Sequence, residues 1–577
     1  MHKFEVWAPN AERVRVKANG RTQALNREER GWWRVEVEDA GPGTDYGFLL
    51  DDDETVLPDP SSNHQPAGIH GPSRIVNHSA FQWNDHHWQA PPLSGAVIYE
   101  LHVGTFAPGG DFDSVAQCLD YLVDMGVTHI ELMPVNEFAG PRGWGYDGVD
   151  LYAPHHCYGG PDGLKRLVDS CHRKGLAVLL DVVYNHLGPV GNYLGRFGPY
   201  FNDDYSTPWG PAVNLDAAGS DEVRRFLCDN ALMWLRDYHF DGLRLDAVHA
   251  FIDRSAIHFL EQLSTEVDEL EAMLERHLVL IAESDLNQPI VVTPREARGF
   301  GIDAQWNDDF HHALHSVLTG ERDGYYSDFG SLADLAKAIR SVFVYDGRYS
   351  EFRQRSHGRP VVGLSGERFL GYLQNHDQIG NRATGERISH LLSVGRQKIG
   401  AALVLLSPLV PMLFQGEEFG SSSPFLYFTS HEDPEFGRLV SEGRRREFAA
   451  FGWKLDEIPD PQDVRTYDAS KLDWTERERE PHRSILNWHR DLIRLRHSTP
   501  DLINGRLDRV NVTFDESANW FKVERGRVTL VCNLSARPSS VPVPDTADII
   551  LASESGAKRA PEAVLVPAES AVVLQTQ

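Results

Sequence analysis

Cysteine is scarce in this chain: 577 residues carry Cys118, Cys157, Cys171, Cys228 and Cys532 and no others. The number is odd, and no two stand in a C-x-x-C pair. Neither a disulfide framework nor a zinc ribbon is expected, and a reducing cytoplasm is the expected compartment. Positive charge is also in deficit. Lys and Arg number 56 against 84 Asp and Glu, for a net charge of −28. That balance argues against a nucleic-acid or anionic-membrane partner and fits a neutral substrate. No apolar run is long enough to span a bilayer. The first residues, MHKFEVWAPNAERV, lack the charged and apolar regions of a signal peptide.

What is present is a soluble globular composition, 41% hydrophobic and 24% charged, in a chain long enough for two to four domains. The 13 Trp are a somewhat rich supply of flat surfaces for ligands, although most aromatics are expected in cores. Residues 1–90 alternate apolar and polar positions in FEVWAPN, RVRVKANG, WWRVEVED and DYGFLLDDD, between Gly, Asn and Asp turns. The pattern predicts a small N-terminal β-sandwich. WQAPPLSG, residues 88–95, reads as a Pro-rich linker.

The pattern then changes. Eight apolar runs alternate with amphipathic stretches: AVIYELHVGTF, VTHIELMPV, AVLLDVVYNH, GLRLDAV, VLIAES, GIDAQWND, RFLGYLQNHD and PLVPMLFQGEE. Eight such units predict an α/β fold, a (β/α)8 TIM barrel over residues 91–500 with its site at the C-terminal rim. An open doubly wound sheet is the structural alternative. No G-x-G-x-x-G follows a first strand, which lowers it. Two excursions interrupt the repeat, 184–222 after strand three and 417–475 after strand eight, and long rim loops shape pockets. The helix-like SILNWHRDLIRLRHSTP closes the barrel, and 501–577 returns to strands as a C-terminal antiparallel β-domain.

Three of the apolar runs end abruptly in an acid: Asp246 in GLRLDAV, Glu283 in VLIAES and Asp377 in LQNHDQIGN. Three carboxylates at one rim are too costly to desolvate for packing alone. Two carboxylates can cleave a glycosidic bond, one attacking the anomeric carbon and the other protonating the leaving oxygen. Asp246 and Glu283 are 37 residues apart, about one βα unit, which places them on adjacent strands. Arg244 lies two residues before Asp246, on the same face of a strand. A cation there suits a nucleophile. Glu283 follows an apolar run that favours its neutral form, as a general acid requires. The plainer readings are an Arg–Asp ion pair and a loop carboxylate. Asn185 and His186 end strand three. Tyr146 in GWGYDGVD is a candidate platform under a sugar, or a half-buried core residue.

DVVYNH, GLRLDAV, AES and NHD, in that order, resemble the four signature regions of the α-amylase superfamily of glycoside hydrolases. The resemblance covers roughly residues 95–575 and implies Asp246 as nucleophile, Glu283 as general acid/base and Asp377 as transition-state stabiliser. It puts Tyr146, His186, Arg244 and His376 around the glucose whose bond is cut. Longer strings, above all DAQWNDDFHHALH, resemble the maltooligosyltrehalose trehalohydrolase family within it. That resemblance implies hydrolysis of the α-1,4 bond next to a terminal trehalose, with a maltooligosyltrehalose substrate and a maltooligosyltrehalose synthase as pathway partner. It also implies three substrate-contacting segments: Arg244, Leu245, Asp246, Ala247, Val248 and His249; Asp308, Asp309, Phe310, His311 and His312; and His376, Asp377, Gln378, Ile379, Gly380 and Asn381.

Other readings stay open at this level. Asp308 and Asp309 also suit a helix N-terminus and nothing more. His311 and His315 stand i,i+4, but no third zinc ligand is evident. No metal or cofactor is expected, and no acidic loop is built for calcium. Arg444, Arg445 and Arg446 read as a solvated helix face. The loop with Arg348, Arg353, Arg355 and Arg359 reads as a substrate lid or an ordinary charged loop. α-1,4-Glucan branching and a non-catalytic glucan-binding barrel are the alternative functions.

Overall fold

A computed structural model describes residues 1–449 and 458–576, with side chains through 446 in the first segment. Part of the second rim excursion, 450–457, therefore lies outside the described residues. Eight parallel strands close into a barrel. They are β1 (Ile98–Leu101), β2 (His129–Leu132), β3 (Ala177–Val182), β4 (Gly242–Leu245), β5 (Val279–Ala282), β6 (Ala304–Trp306), β7 (Phe369–Gly371) and β8 (Val410–Phe414). Each of the eight apolar runs supplies one strand. Every residue of β3, β4 and β5 is buried, as a parallel sheet covered on both faces demands. β4 begins on Gly242 because nothing larger fits: a Cβ there would lie 2.4 Å from the carbonyl oxygen of Val279 on β5.

Helices wrap the barrel, among them Gly160–Arg173, Ser220–Asp237, Phe259–Leu274 and Val394–Leu405. The closing helix is His482–Ser498, which buries Ile485, Trp488, Leu492 and Ile493. Its buried positions recur at helical spacing, the signature of one apolar face against the barrel.

Before the barrel, two antiparallel sheets pack together. One holds His2–Trp7, Trp32–Val37 and Asn26–Arg27; the other holds Arg21–Ala24, Val14–Ala18, Asp45–Leu50 and Ser73–Arg74. Phe4, Val6, Val16, Trp33 and Phe48 fill the space between them. The stretch read as a linker is fastened down. Trp88 stacks on His172 at 4.7 Å, and its indole N–H donates to Asp241 Oδ1 at 2.8 Å. Proline content signals an extended path but says nothing of what the intervening aromatic meets. After the barrel, a five-stranded and a three-stranded antiparallel sheet occupy Val510–Thr576. Arg525 ties them to the barrel by donating to the carbonyl oxygens of Leu406 and Ser407.

Candidate active site

The C-terminal ends of β4, β5 and β7 deliver the three acids to one place. Asp246 is the first residue beyond β4, and its N–H still donates to Val182 O of β3 at 3.0 Å. Ala247 then takes φ 41°, a left-handed conformation that strains an L-residue. That reversal aims the Ala247 N–H at Glu283 Oε2, 2.6 Å away. Glu283, just past β5, is held from both sides of its own backbone: its N–H donates to Leu245 O at 3.0 Å, and its carbonyl accepts from Val248 N–H at 2.9 Å. Asp377 sits in the short helix His376–Gly380 after β7. The Asn375 side chain caps that helix, accepting from the N–H groups of Asp377 at 2.9 Å and Gln378 at 3.3 Å.

Arg244 lies beneath, fully buried. Its Nη1 is 2.8 Å from both oxygens of Asp181 and 2.8 Å from Asp246 Oδ1, while Nη2 is 3.4 Å from Glu283 Oε2. One guanidinium thus touches two of the three candidate acids, and its flat face rests on Trp306 at 4.2 Å. Burial pushes the Glu283 carboxyl up to about 8; Arg244 pulls against this, and Asp246 and Asp377 add to it. Burial works against a charged His376, but the Glu100 carboxylate bonded to its ring and the nearby Asp377 together outweigh burial and raise it to about 9. The site therefore holds a protonated acid and a protonated imidazole near neutral pH.

Asp246, Glu283 and Asp377 line a cavity of about 650 Å3 together with Tyr146, His186, Ala247, His249, His376 and Asn381. Tyr146 donates to Asp181 through its hydroxyl and stacks on His376 at 5.1 Å. His186 pairs with Asn185 at 2.9 Å and stacks on Trp209 at 5.1 Å. Asn185 is buried behind it and does not line the cavity. A second chamber of about 280 Å3 shares Glu283, Asp285, Asp377 and Asn381 with the first. Asp308, His312, Gln378 and Asn381 line it, with Tyr325, Phe352 and Arg353.

Several residues of the three predicted segments reach neither chamber. Leu245, Val248, Phe310 and Ile379 are buried in apolar cores. Asp309 turns inward, and its Oδ2 accepts from Val344 and Tyr345 N–H at 2.7 Å each. His311 is buried with its ring bonded to Leu373 O at 2.7 Å and Tyr326 OH at 2.8 Å. His315 pairs with Glu321 at 2.7 Å and stacks on Tyr326, so the two histidines have different hydrogen-bond partners. Gly380 lies under Trp144, whose ring a Cβ would meet at 1.9 Å. The reason is periodicity: a helix shows one face to a cavity, and Asp308 and His312 are i and i+4 on the face that looks in.

Other residues at the site were not anticipated. Asp181, the first letter of DVVYNH, carries Arg244, and Glu100 carries His376. Each is a lone acid inside an otherwise apolar parallel strand, a signal the sequence does contain. Trp144, Trp209, Tyr427, Asp285, Val440 and Arg444 complete the larger cavity. Arg444 is not on a solvated face. Its guanidinium donates to Gly380 O and Asn381 Oδ1 and lies over Tyr427. In the loop of arginines, Arg353 bonds Asp285 at 3.1 Å beside the smaller chamber, whereas Arg348 is tied to Asp334.

Residues 56–198 match the model of the alpha amylase catalytic domain, and 505–573 match a domain of unknown function, DUF3459. A malto-oligosyltrehalose trehalohydrolase of Mycobacterium tuberculosis strain H37Rv is 50% identical over 560 residues, 96% of each chain. This chain belongs to the malto-oligosyltrehalose trehalohydrolase family. Another member, from Rhizobium sp. strain M-11, is 48% identical over 99% of this chain and 97% of its own. A crystal structure assigned to the alpha amylases, from Salmonella typhimurium, superposes with a TM-score of 0.91 at 37% identity and covers 100% of this chain and 97% of that one. The protein is a glycoside hydrolase with the (β/α)8 barrel, N-terminal sheets and C-terminal strands that its sequence predicts. Among the described residues no helix is long and apolar enough to cross a membrane.

Proposed function

We propose that Asp246 attacks the anomeric carbon of a glucosyl unit held in the larger cavity, while Glu283 protonates the departing oxygen. The bond cut is the α-1,4 bond next to the terminal trehalose of a maltooligosyltrehalose, and trehalose leaves through the smaller chamber. Water, deprotonated by Glu283 acting as base, then releases the glucosyl group from Asp246, so configuration is retained. Arg244 keeps Asp246 oriented for attack. Asp377, braced by Asn381 at 3.2 Å, accepts hydroxyls of the distorted ring, and the protonated His376 donates to it. The observation that carries this reading is the place of Glu283 in the groove, beside Asp246 and Asp377. The acid borders both chambers, as a group that protonates a bridging oxygen must.

A maltooligosyltrehalose synthase working in the same cytoplasm supplies the substrate. Comparing initial rates on maltotriosyltrehalose and on maltopentaose tests the bond. Trehalose should appear from the first at a rate at least about tenfold above any cleavage of the second. Equal rates would refute trehalose specificity, and new α-1,6 branches would replace hydrolysis with transfer. Asp246→Asn should cut turnover by roughly 10³-fold or more with its melting curve preserved, because Asp181 still occupies Arg244. Wild-type turnover in that variant would remove Asp246 as nucleophile.

A further inference from the structure

On the flank of the barrel, a groove of about 900 Å3 lies between the helix Leu119–Met125 and the closing helix His482–Ser498. It shares no residue with either chamber of the candidate active site. Tyr121 and Trp474 meet in it edge to face at 5.1 Å. Both have spent their polar ends elsewhere. The Tyr121 hydroxyl donates to Glu418 Oε1 at 2.7 Å, and the Trp474 indole N–H donates to Phe106 O at 2.7 Å. Arg477 lies over both rings, 5.1 Å from each centre, and Arg490 lies over Tyr121 at 6.0 Å. With Arg477 there, the groove presents a cation where a bare aromatic pair would present a stacking platform.

These two guanidinium groups lack what arginine in so acidic a chain, of net charge −28, has in abundance around it. Arg483, on the same wall, is paired with Glu480 at 2.8 Å. Arg477 and Arg490 make no ion pair and no side-chain hydrogen bond among the described residues, and Arg490 Nε is buried without a partner. A buried N–H left unbonded costs free energy, and such a group is ordinarily matched by an acceptor. Asp124 and Glu478 also line the groove, yet neither pairs with these two arginines. Their carboxylates repel a polyanion and can accept hydroxyl groups. The groove also holds far more than a bare inorganic anion fills.

We propose that this groove binds a sugar phosphate, with Arg477 and Arg490 taking the phosphoryl oxygens and Asp124, Glu478 and Asn487 taking the hydroxyls. A planar guanidinium presents paired N–H donors that match phosphate oxygens, and stacking on Tyr121 and Trp474 holds that fork in place before the ligand arrives. The site is separate from the hydrolytic centre and does not depend on the bond specificity proposed above.

Glucose 6-phosphate is the probe, titrated calorimetrically into the full-length protein in buffer free of phosphate and sulfate. One equivalent should bind saturably, at least about tenfold more tightly than inorganic phosphate or glucose alone. Arg477→Ala and Arg490→Gln should each weaken that binding about tenfold or more. Arg438→Ala removes an exposed arginine already paired with Glu435 and Glu442, and should leave it within about twofold. No binding of the ester, or an affinity that survives both groove substitutions, would overturn the proposal. So would inorganic phosphate or glucose binding as tightly as the ester, since one half of the recognition would then contribute nothing. Thermal melting of each variant, compared with the parent, separates lost contacts from lost fold.

Discussion

Glu283 stays protonated well into the neutral range because the barrel rim desolvates it more than Arg244 rewards its ionisation. The sign of the stability effect follows. In the unfolded chain Glu283 ionises near its ordinary value of 4.5, whereas in the folded protein it ionises near 8. Below the lower value both states hold the proton and folding is not penalised. Between the two, the unfolded state sheds a proton that the native state retains, so stability falls as pH rises. Glu283→Gln removes that loss. At pH about 7.5 the variant should unfold later than the parent by an amount on the order of a few kcal/mol, and the gap should close toward pH 4. A Tm difference independent of pH would contradict this. In the parent, kcat/KM should decline on the alkaline side with an apparent value near 8, as the acid loses its proton. The three acids were legible because each breaks an apolar run. Asp181 and Glu100 obey the same rule, yet the rule alone gives no reason to rank them, since their partners Arg244 and His376 come from other βα units.

Among the elements, strands were more legible than helices, and helices more than rim segments. A buried parallel strand declares itself by continuous apolar residues, and all eight runs became strands. The helix Asp308–Thr319 was readable as a helix, but its first residues read as one contact block where only one face, that of Asp308 and His312, looks into the chamber. The rim helix Pro434–Ala449 was the least legible. Its basic run gives no hint that Arg444 reaches across to Gly380 and Asn381, because the path of a long excursion follows tertiary contacts that no local period encodes. That contact joins the rim helix to the helix bearing Asp377. Arg444→Ala should therefore raise KM about three- to tenfold while kcat stays within about twofold, since the lost contacts steady the cavity wall and do not move protons. A kcat that falls in step with kcat/KM would place Arg444 in the chemistry.

For the molecule as a whole, a net charge of −28 surrounds a site whose proposed substrate is uncharged. Steering by the protein's field acts only on charged ligands, and salt screens it over about 8–10 Å. Raising NaCl from about 0.05 to 0.5 M should leave kcat/KM within about twofold; a steep decline would point to a charged substrate. The order of the parts was legible from patterning, because alternation, apolar blocks and a return to alternation occupy separate stretches of the chain. How the pieces are fastened was not: Trp88, read as part of a linker, is a rivet between the entering chain and the base of the barrel. The sharing of Glu283 and Asp377 by two chambers also has a kinetic consequence. In the proposed reaction, once the glucosyl group is on Asp246, a sugar lingering in the smaller chamber blocks the approach of water and offers its own hydroxyl instead. Accumulated product should then slow turnover and rebuild longer chains, making the direction of net flux depend on how quickly the released disaccharide is carried away.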